Sequence, residues 1–213
     1  MHKAESDIDI FELDLGDLLS SEDGLYNYYY YQDLKQRRLF LQDNVDQWTI
    51  APVVKHIMRF NIEDKGKPVE ERTPIILYVS SNGGSVDDGF ELIDTILTSK
   101  TPVYTVNVGY AYSMGFLILL AGHKRFSMPN AKFLLHDGSN FAWGSSAKIR
   151  DQMAFQERID ARVKEYVIDR TSITNKEYDK KYRVEWYMFA DEAREKGVID
   201  SVVGIDSDID SVL

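Results

Sequence analysis

The sequence predicts a mixed α/β fold built from repeated strand-helix units, and three neighbouring segments carry the prediction. PIILYVS, residues 74–80, is a near-continuous apolar run, which is typical of a strand covered on both faces. SVDDGFELIDTILTS, residues 85–99, has helical periodicity, and PVYTVNV, residues 102–108, has the composition of a strand. A strand, a helix and a strand at these lengths form a βαβ unit, and the same alternation along the chain indicates an α/β architecture.

Before this unit the sequence predicts one strand and one helix. RRLFL, residues 37–41, is a short strand, and DQWTIAPVVKHIMRF, residues 46–60, is helical by the spacing of its apolar residues. Pro52 marks an early turn or a kink in that helix. The helix of the βαβ unit is expected to face the core with one apolar side, formed by Val86, Phe90, Ile93 and Leu97.

After the unit, an almost wholly apolar helix begins at Ser113, and KRFSM and AKFLLH predict short strands separated by a turn at Pro129 and Asn130. A Gly/Ser-rich loop then leads into a long charged helix from about Ser146 to Arg170. ADEAREKG predicts a last helix, and VIDSVVG closes as a strand. The side chains expected to point inward from the long helix are Phe155, Ile159, Val163, Tyr166 and Val167.

Charge and composition divide the chain into three parts: an acidic leader at residues 1–24, extended or partly disordered, a folded domain at 25–204, and an acidic C-terminal tail at 205–213. The leader also contains apolar residues, so it either docks on a partner or subunit or is a terminus with no role. The tyrosine-rich stretch LYNYYYYQDL, residues 25–34, has no interleaved lysine or arginine and only one acidic residue. This favours packing at a domain edge or subunit interface over stacking on bases.

The overall composition excludes several classes of protein. The formal net charge of −10 argues against nucleic acid as a partner. The longest nearly unbroken apolar run, Met114 to Ala121, is far shorter than the about 20 residues that a membrane-spanning helix needs. Cysteine is absent, which excludes disulfides and a thiolate nucleophile and, with no secretory signal, favours the cytoplasm. We expect no metal site.

Two junctions between a strand and a helix carry candidate chemistry. Gly83 and Gly84 leave backbone N–H groups open to a ligand oxygen, or form only a tight turn. Ser113 is either an ordinary helix N-cap or a nucleophile, and its surroundings lack the usual Gly-x-Ser-x-Gly pattern. A serine nucleophile needs a base. Of the four histidines, His136 is the best placed, because it ends a predicted strand and faces a loop.

Three segments together resemble one family: SSNGGSVDDGFELIDTI, GYAYSMGFLILLAGHKRFSMPNAKFLLH and EWYMFADEAREKGVIDSV. Their order and separations are similar to those of the Clp protease proteolytic subunit, a self-compartmentalising serine peptidase. With YYQDLKQRRLFLQDNVDQ, which resembles the family's opening strand and helix, the similarity runs from about Tyr30 to Gly204. It implies a fold of the crotonase-like kind with a protruding helix-strand handle, whose matching segment is 137–145.

The resemblance implies a role for five residues. Ser113 matches the nucleophile and His136 the general base. Glu185 stands where the family has the aspartate of the triad. Gly84 and Met114 match the residues whose backbone amides form the oxyanion hole. The family forms paired heptameric rings around a closed chamber and receives unfolded polypeptides from an ATP-driven unfoldase of the AAA+ type, so no cofactor is expected in this chain.

Some departures from the family pattern leave alternatives open. Glu185 has one methylene more than aspartate, so Asp179 or Asp191 is the alternative acid. Asn82 replaces the family's proline, which predicts a looser glycine turn. The rival functions are a crotonase-like enzyme acting on a coenzyme A thioester, a Ser/Lys dyad peptidase in which His136 is structural, and an inactive ring subunit or adaptor.

Overall fold

The computed structural model describes residues 24–138 and 142–213, and the chain divides into two compact units, residues 1–39 and 40–213. In the described part of the first unit, helix α1 (Gly24–Lys35) contains the tyrosine-rich stretch. Tyr26 and Tyr29 are exposed on it. Strand β1 (Arg38–Leu41) leads from the first unit into the second and confirms the predicted strand within one residue. The leader lies outside the described residues apart from Gly24, and its boundary, like that of the C-terminal tail, stays a prediction.

The second unit alternates strands and helices as the sequence predicts. Its short connections include two single turns of 3₁₀ helix, at Val69–Glu71 and Ile209–Val212. No helix in either described range is long and apolar enough to cross a bilayer. In chain order the main elements are α2 (Gln47–Glu63), β2 (Ile75–Ser81), α3 (Val86–Thr98), β3 (Val103–Tyr112), α4 (Met114–Leu120), β4 (Lys124–Ser127), β5 (Lys132–Leu135), α5 (Ser146–Arg170), α6 (Asn175–Lys181), β6 (Trp186–Phe189), α7 (Ala190–Glu195) and β7 (Ser201–Val202).

The sheet of this unit is mostly parallel, which confirms the mixed α/β fold. Strands β2, β3, β4 and β7 lie side by side in that order, and each pair is parallel. The long strand β3 changes partner along its length, pairing with β4 at Tyr104–Asn107 and with β5 at Tyr110–Tyr112. Strand β6 pairs antiparallel with β5. Parallel neighbours joined by α3 and α4 bring their carboxyl ends to one edge of the sheet.

The predicted core face of α3 is wrong. Of its four residues only Ile93 is buried, whereas Val86 and Leu97 are 36% and 41% exposed. The helix instead buries the side that contains Gly89 and Ile96, together with Leu92 and Ile93. The reason lies in the partner: a Cβ on Gly89 would overlap the Met114 side chain, so this side of α3 approaches α4 closely. Apolar residues occur on more than one side of α3, so tertiary packing decided which side of the helix is buried.

The long helix α5 has the predicted bounds but buries less than expected. Val167 is buried, Ile159, Val163 and Tyr166 are half-buried, and Phe155 is 56% exposed, so its inward placement is wrong. The sequence reasoning also missed α6 and β6, and it extended the last helix and strand beyond their observed ends. Pro52 lies inside α2, which continues to Glu63.

Candidate active site

The glycine turn after β2 packs directly against the junction after β3. Gly83 has φ +90°, and a Cβ on it would lie 2.7 Å from the Met114 nitrogen and 2.7 Å from the Ser113 Cβ. Only glycine fits there, because it lacks the Cβ and accepts this φ at little cost. The two junctions that the sequence singled out are therefore neighbours, and the glycine is required by close packing as well as by the turn.

Gly84 is held in place by a short parallel bridge to Val45. The Val45 N–H donates to the Gly83 carbonyl at 2.9 Å, and the Ser85 N–H donates to the Val45 carbonyl at 2.7 Å. This pairing uses the groups on either side of the Gly84 N–H and not that group itself. Gly84 has φ +150°, and a Cβ on it would overlap the Val45 carbonyl oxygen. The turn that Asn82 was expected to loosen is thus fixed on both sides.

Ser113 occupies the N-cap position of α4 but does not cap the helix. Its backbone has φ 52° and ψ −119°, and its hydroxyl makes no capping hydrogen bond. The Ser113 N–H donates to the Leu134 carbonyl at 2.9 Å, and its own carbonyl accepts from Phe116. A non-glycine residue at positive φ persists only where the surrounding structure holds it. The interpretation of Ser113 as an ordinary capping serine is wrong.

The Met114 N–H stands beside this hydroxyl as an open donor. Met114 is the first residue of α4, where backbone N–H groups have no acceptor within the helix. All seven residues of α4 are buried, so the helix is anchored in the core and its first amides are fixed in direction. A donor held rigidly before the reaction costs no reorganisation when negative charge develops near it.

His136 and Glu185 are brought together by the register of β5 and β6. Leu135 pairs with Trp186 in the antiparallel ladder, so the next residue of one strand faces the preceding residue of the other. The His136 Nδ1 lies 2.9 Å from the Glu185 Oε1. With Nδ1 as the donor, Nε2 is left as the acceptor of the neutral ring. The side chain of Glu185 is 57% exposed and that of His136 is 22% exposed.

The two alternative acids have other positions. Asp179 accepts a hydrogen bond from the Lys164 Nζ at 2.7 Å. Asp191 lies in the first turn of α7, where the positive end of the helix dipole stabilises a carboxylate. Glu185 is the carboxylate that is hydrogen-bonded to the imidazole of His136.

One cavity of about 100 Å³ joins these parts. Ser113, His136, Gly84 and Met114 all line it, and Glu185 bonds to one of them from outside. A serine, a histidine with an oriented ring and two residues that can offer backbone N–H groups, all lining one small cavity, are suited to acyl transfer by a serine nucleophile. In the part of the chain that the structure describes, no group of three or more His, Asp or Glu side chains is arranged to hold a metal ion.

Sequence reasoning missed three residues that share this cavity: Gln156, Asp160 and Tyr182. Gln156 and Asp160 lie on α5 with Ile159 and Val163, at the spacing that puts residues on one face of a helix. That spacing was visible in the sequence. The cavity that this face of α5 lines could not be predicted, because the sequence pattern does not determine how α5 packs.

The chain was compared with protein-family models, and the model described as Clp protease matches residues 22–206. The matched range is more than half of the 213 residues and contains both strand-helix junctions, His136 and Glu185.

Proposed function

We propose, from the premise that this chain belongs to the Clp protease family, that it is a serine endopeptidase acting on unfolded polypeptides. The observation that carries the proposal is the single cavity lined by the Ser113 hydroxyl and the His136 imidazole, with Glu185 hydrogen-bonded to that imidazole. Ser113 is the nucleophile, His136 the general base and Glu185 the acid that orients the ring.

The reaction proceeds through an acyl-enzyme. The Nε2 of His136 takes the proton of the Ser113 hydroxyl as the oxygen attacks the peptide carbonyl, and the carbonyl oxygen becomes an oxyanion. The amides of Gly84 and Met114 donate to that oxyanion. His136 then gives its proton to the leaving amine, the C–N bond breaks, and an ester to Ser113 remains. Water, deprotonated by the same imidazole, hydrolyses the ester and restores the hydroxyl.

Glu185 has two tasks in this scheme. It keeps the proton of the neutral ring on Nδ1, so that Nε2 is free to accept, and it stabilises the imidazolium that forms during attack. Its additional methylene relative to aspartate is compatible with the bond to His136, since the distance is 2.9 Å. Its exposure predicts that salt and solvent weaken this stabilisation more than they would for a buried acid.

The proposal includes the assembly that is characteristic of the family. Heptameric rings stacked in pairs enclose the chamber, and residues 137–145, of which 139–141 lie outside the described residues, form part of the handle between the rings. An AAA+ unfoldase hydrolyses ATP and delivers unfolded chains, so ATP is a requirement of the partner and this chain holds no cofactor. The cytoplasm is the proposed compartment.

Labelling with a fluorophosphonate tests the nucleophile directly. The wild-type chain is expected to be labelled on Ser113 and to cleave a short fluorogenic peptide, and Ser113→Ala is expected to lose both. His136→Ala separates the triad from a Ser/Lys dyad, because a dyad would retain activity. An acyl-CoA that binds without labelling would favour the crotonase-like rival, and a chain that is neither labelled nor active would be an inactive subunit or adaptor. The family match favours the peptidase over the crotonase-like rival.

A further inference from the structure

The cavity beside Ser113 combines apolar walls with carboxylates. Its apolar lining includes Val86, Leu117 and Val163, and its polar lining includes Asp137 and Asp160. Among the residues that the structure describes, none that lines the cavity is a lysine or an arginine. A cavity of about 100 Å³ has room for roughly seven water-sized groups at about 10–15 Å³ each, which is comparable to the heavy atoms of one long side chain.

One face of α5 supplies much of this lining. Gln156, Ile159, Asp160 and Val163 recur at intervals of three and four residues, so their side chains share one side of the helix. The Gln156 Nε2 donates to the Asp160 Oδ1 at 2.8 Å. This bond joins two polar residues of the lining that are one helical turn apart.

A second residue of the lining, Tyr182, lies near the Asp160 carboxylate. Its ring stacks on that of Tyr178 with centroids 5.0 Å apart. Burial, together with the charges of Asp160 and Asp137, raises the pKa of Tyr182 to about 12. Tyr182 therefore stays a neutral donor at every pH at which the protein is assayed.

The charge of the two aspartates is left uncompensated. The Gln156 amide that donates to Asp160 is neutral, so it orients the carboxylate without cancelling its charge. Throughout residues 24–138 and 142–213, no lysine or arginine forms an ion pair with Asp137 or Asp160. A partly buried carboxylate without a cation favours a ligand that supplies one.

The side chain that enters this space is the one nearest the attacked carbonyl. The cavity is bounded by the nucleophile and by the two amides proposed to bind the carbonyl oxygen. The residue that contributes this carbonyl has its side chain only two bonds from the attacked carbon, closer than any other side chain of the substrate. Lysine and arginine have an apolar stem and a cationic head, which match the two parts of the lining.

We propose that this site prefers a lysine or arginine as the residue that contributes the scissile carbonyl, with Asp160 as the main specificity-determining residue. The inference rests on the proposed peptidase function. Asp160 acts on the bound substrate side chain and takes no part in the proton transfers between Ser113 and His136. A substrate with glutamate at the same position is expected to be the poorest, since three carboxylates would then share one small cavity.

The test compares fluorogenic peptides that differ only at this residue, with arginine, lysine, leucine, methionine or glutamate. For the purified full chain we expect kcat/KM for arginine and lysine to exceed that for leucine about tenfold. Asp160→Asn, which keeps the size of the side chain, is expected to lower the ratio of kcat/KM for arginine to that for leucine from about tenfold to about twofold. Asp169→Asn, an exposed aspartate on the same helix that does not line the cavity, is the matched control and should leave the ratio unchanged.

The outcomes separate this inference from the proposed function. If the enzyme is labelled by a fluorophosphonate and cleaves the leucine or glutamate peptide best, the peptidase stands and the basic preference is overturned. The same holds if Asp160→Asn leaves the ratio unchanged. If no peptide is cleaved and Ser113 is not labelled, both proposals fail. The wild-type panel decides the matter even if Asp160→Asn does not fold.

Discussion

Two serines of this protein stand at the same kind of position and differ in what their hydroxyls do. Ser85 precedes α3 and Ser113 precedes α4, and both follow neighbouring parallel strands. Ser85 has φ −59°, and its Oγ accepts a hydrogen bond from the Asp88 N–H at 3.3 Å. Ser113 has φ 52°, and its hydroxyl makes no such bond. The Ser85 hydroxyl caps its helix with a hydrogen bond, whereas the Ser113 hydroxyl does not.

The difference teaches how a structural serine is distinguished from a reactive one. A capping hydroxyl gains about 1 kcal/mol for the fold from an unstrained backbone. The strained backbone of Ser113 costs about 1–3 kcal/mol and gives up the cap. This cost occurs at a residue that lines one cavity with His136, Gly84 and Met114. Backbone strain that no capping hydrogen bond offsets is typical of functional sites.

The largest effect is expected from removing the Ser113 hydroxyl. Ser113→Ala should lower kcat by about 10⁶-fold, because the nucleophile is lost and only the oxyanion donors and substrate binding remain. The measurement is hydrolysis of a fluorogenic peptide by a sample free of wild-type enzyme. Ser85→Ala is the matched control and should keep kcat within about twofold. Activity retained by Ser113→Ala would transfer the nucleophile elsewhere.

The next effect tests Glu185, which is proposed to orient His136, the proposed base for Ser113. Glu185→Gln should lower kcat by about 10⁴-fold, because the amide no longer favours the required tautomer of His136 or stabilises the imidazolium. The pH dependence of kcat/KM should be recorded together with the rate. A loss below about tenfold would assign the orienting role to another group, with Asp191→Asn as the variant to compare.

A third prediction concerns Gly83, where the glycine turn after β2 packs against the junction after β3. Gly83→Ala should lower the free energy of unfolding by about 3 kcal/mol and kcat by about 100-fold, since the new methyl group meets Ser113 and the Met114 nitrogen. Gly66 has a similar φ of +93° with no atom within 4 Å of its Cβ position. Gly66→Ala therefore carries the backbone strain alone, and it should cost about 1 kcal/mol with unchanged activity. Equal effects of the two variants would contradict the close packing.

The strain at Ser113 predicts opposite signs for glycine at the two serines. Ser113→Gly should raise the free energy of unfolding by about 1 kcal/mol, because glycine accepts φ 52° without cost. Ser85→Gly should lower it by a few tenths of a kcal/mol through loss of the cap. Denaturant unfolding of both variants measures the two changes. A destabilised Ser113→Gly would show that the backbone there is relaxed.

The last prediction concerns replacement of the ordinary cap by alanine. Ser85→Ala should lower the free energy of unfolding by about 0.5 kcal/mol, at the low end for capping residues, because the bond to Asp88 is long. The midpoint of urea unfolding measures this change. A loss above about 2 kcal/mol would mean that Ser85 supports the glycine turn and the site as well as the helix.

Much of the fold was predictable because its signals are local. The apolar run of β2, the helical periodicity of α3 and the composition of β3 lie within a few residues of one another, and the sheet confirmed their parallel pairing. The core face of α3 was not predictable by the same means. Its choice depends on how Gly89 meets Met114, which belong to different elements.

The same division holds for the candidate site. The sequence by itself determined which residue types stand at which junctions, and the family resemblance that names Ser113, His136 and Glu185 depends on those short patterns alone. Only the tertiary structure decided that Leu135 pairs with Trp186, which brings His136 to Glu185, and that one face of α5 lines the cavity. The physical reason is that strand register and helix packing depend on contacts between residues far apart in the chain, and local patterns do not encode them.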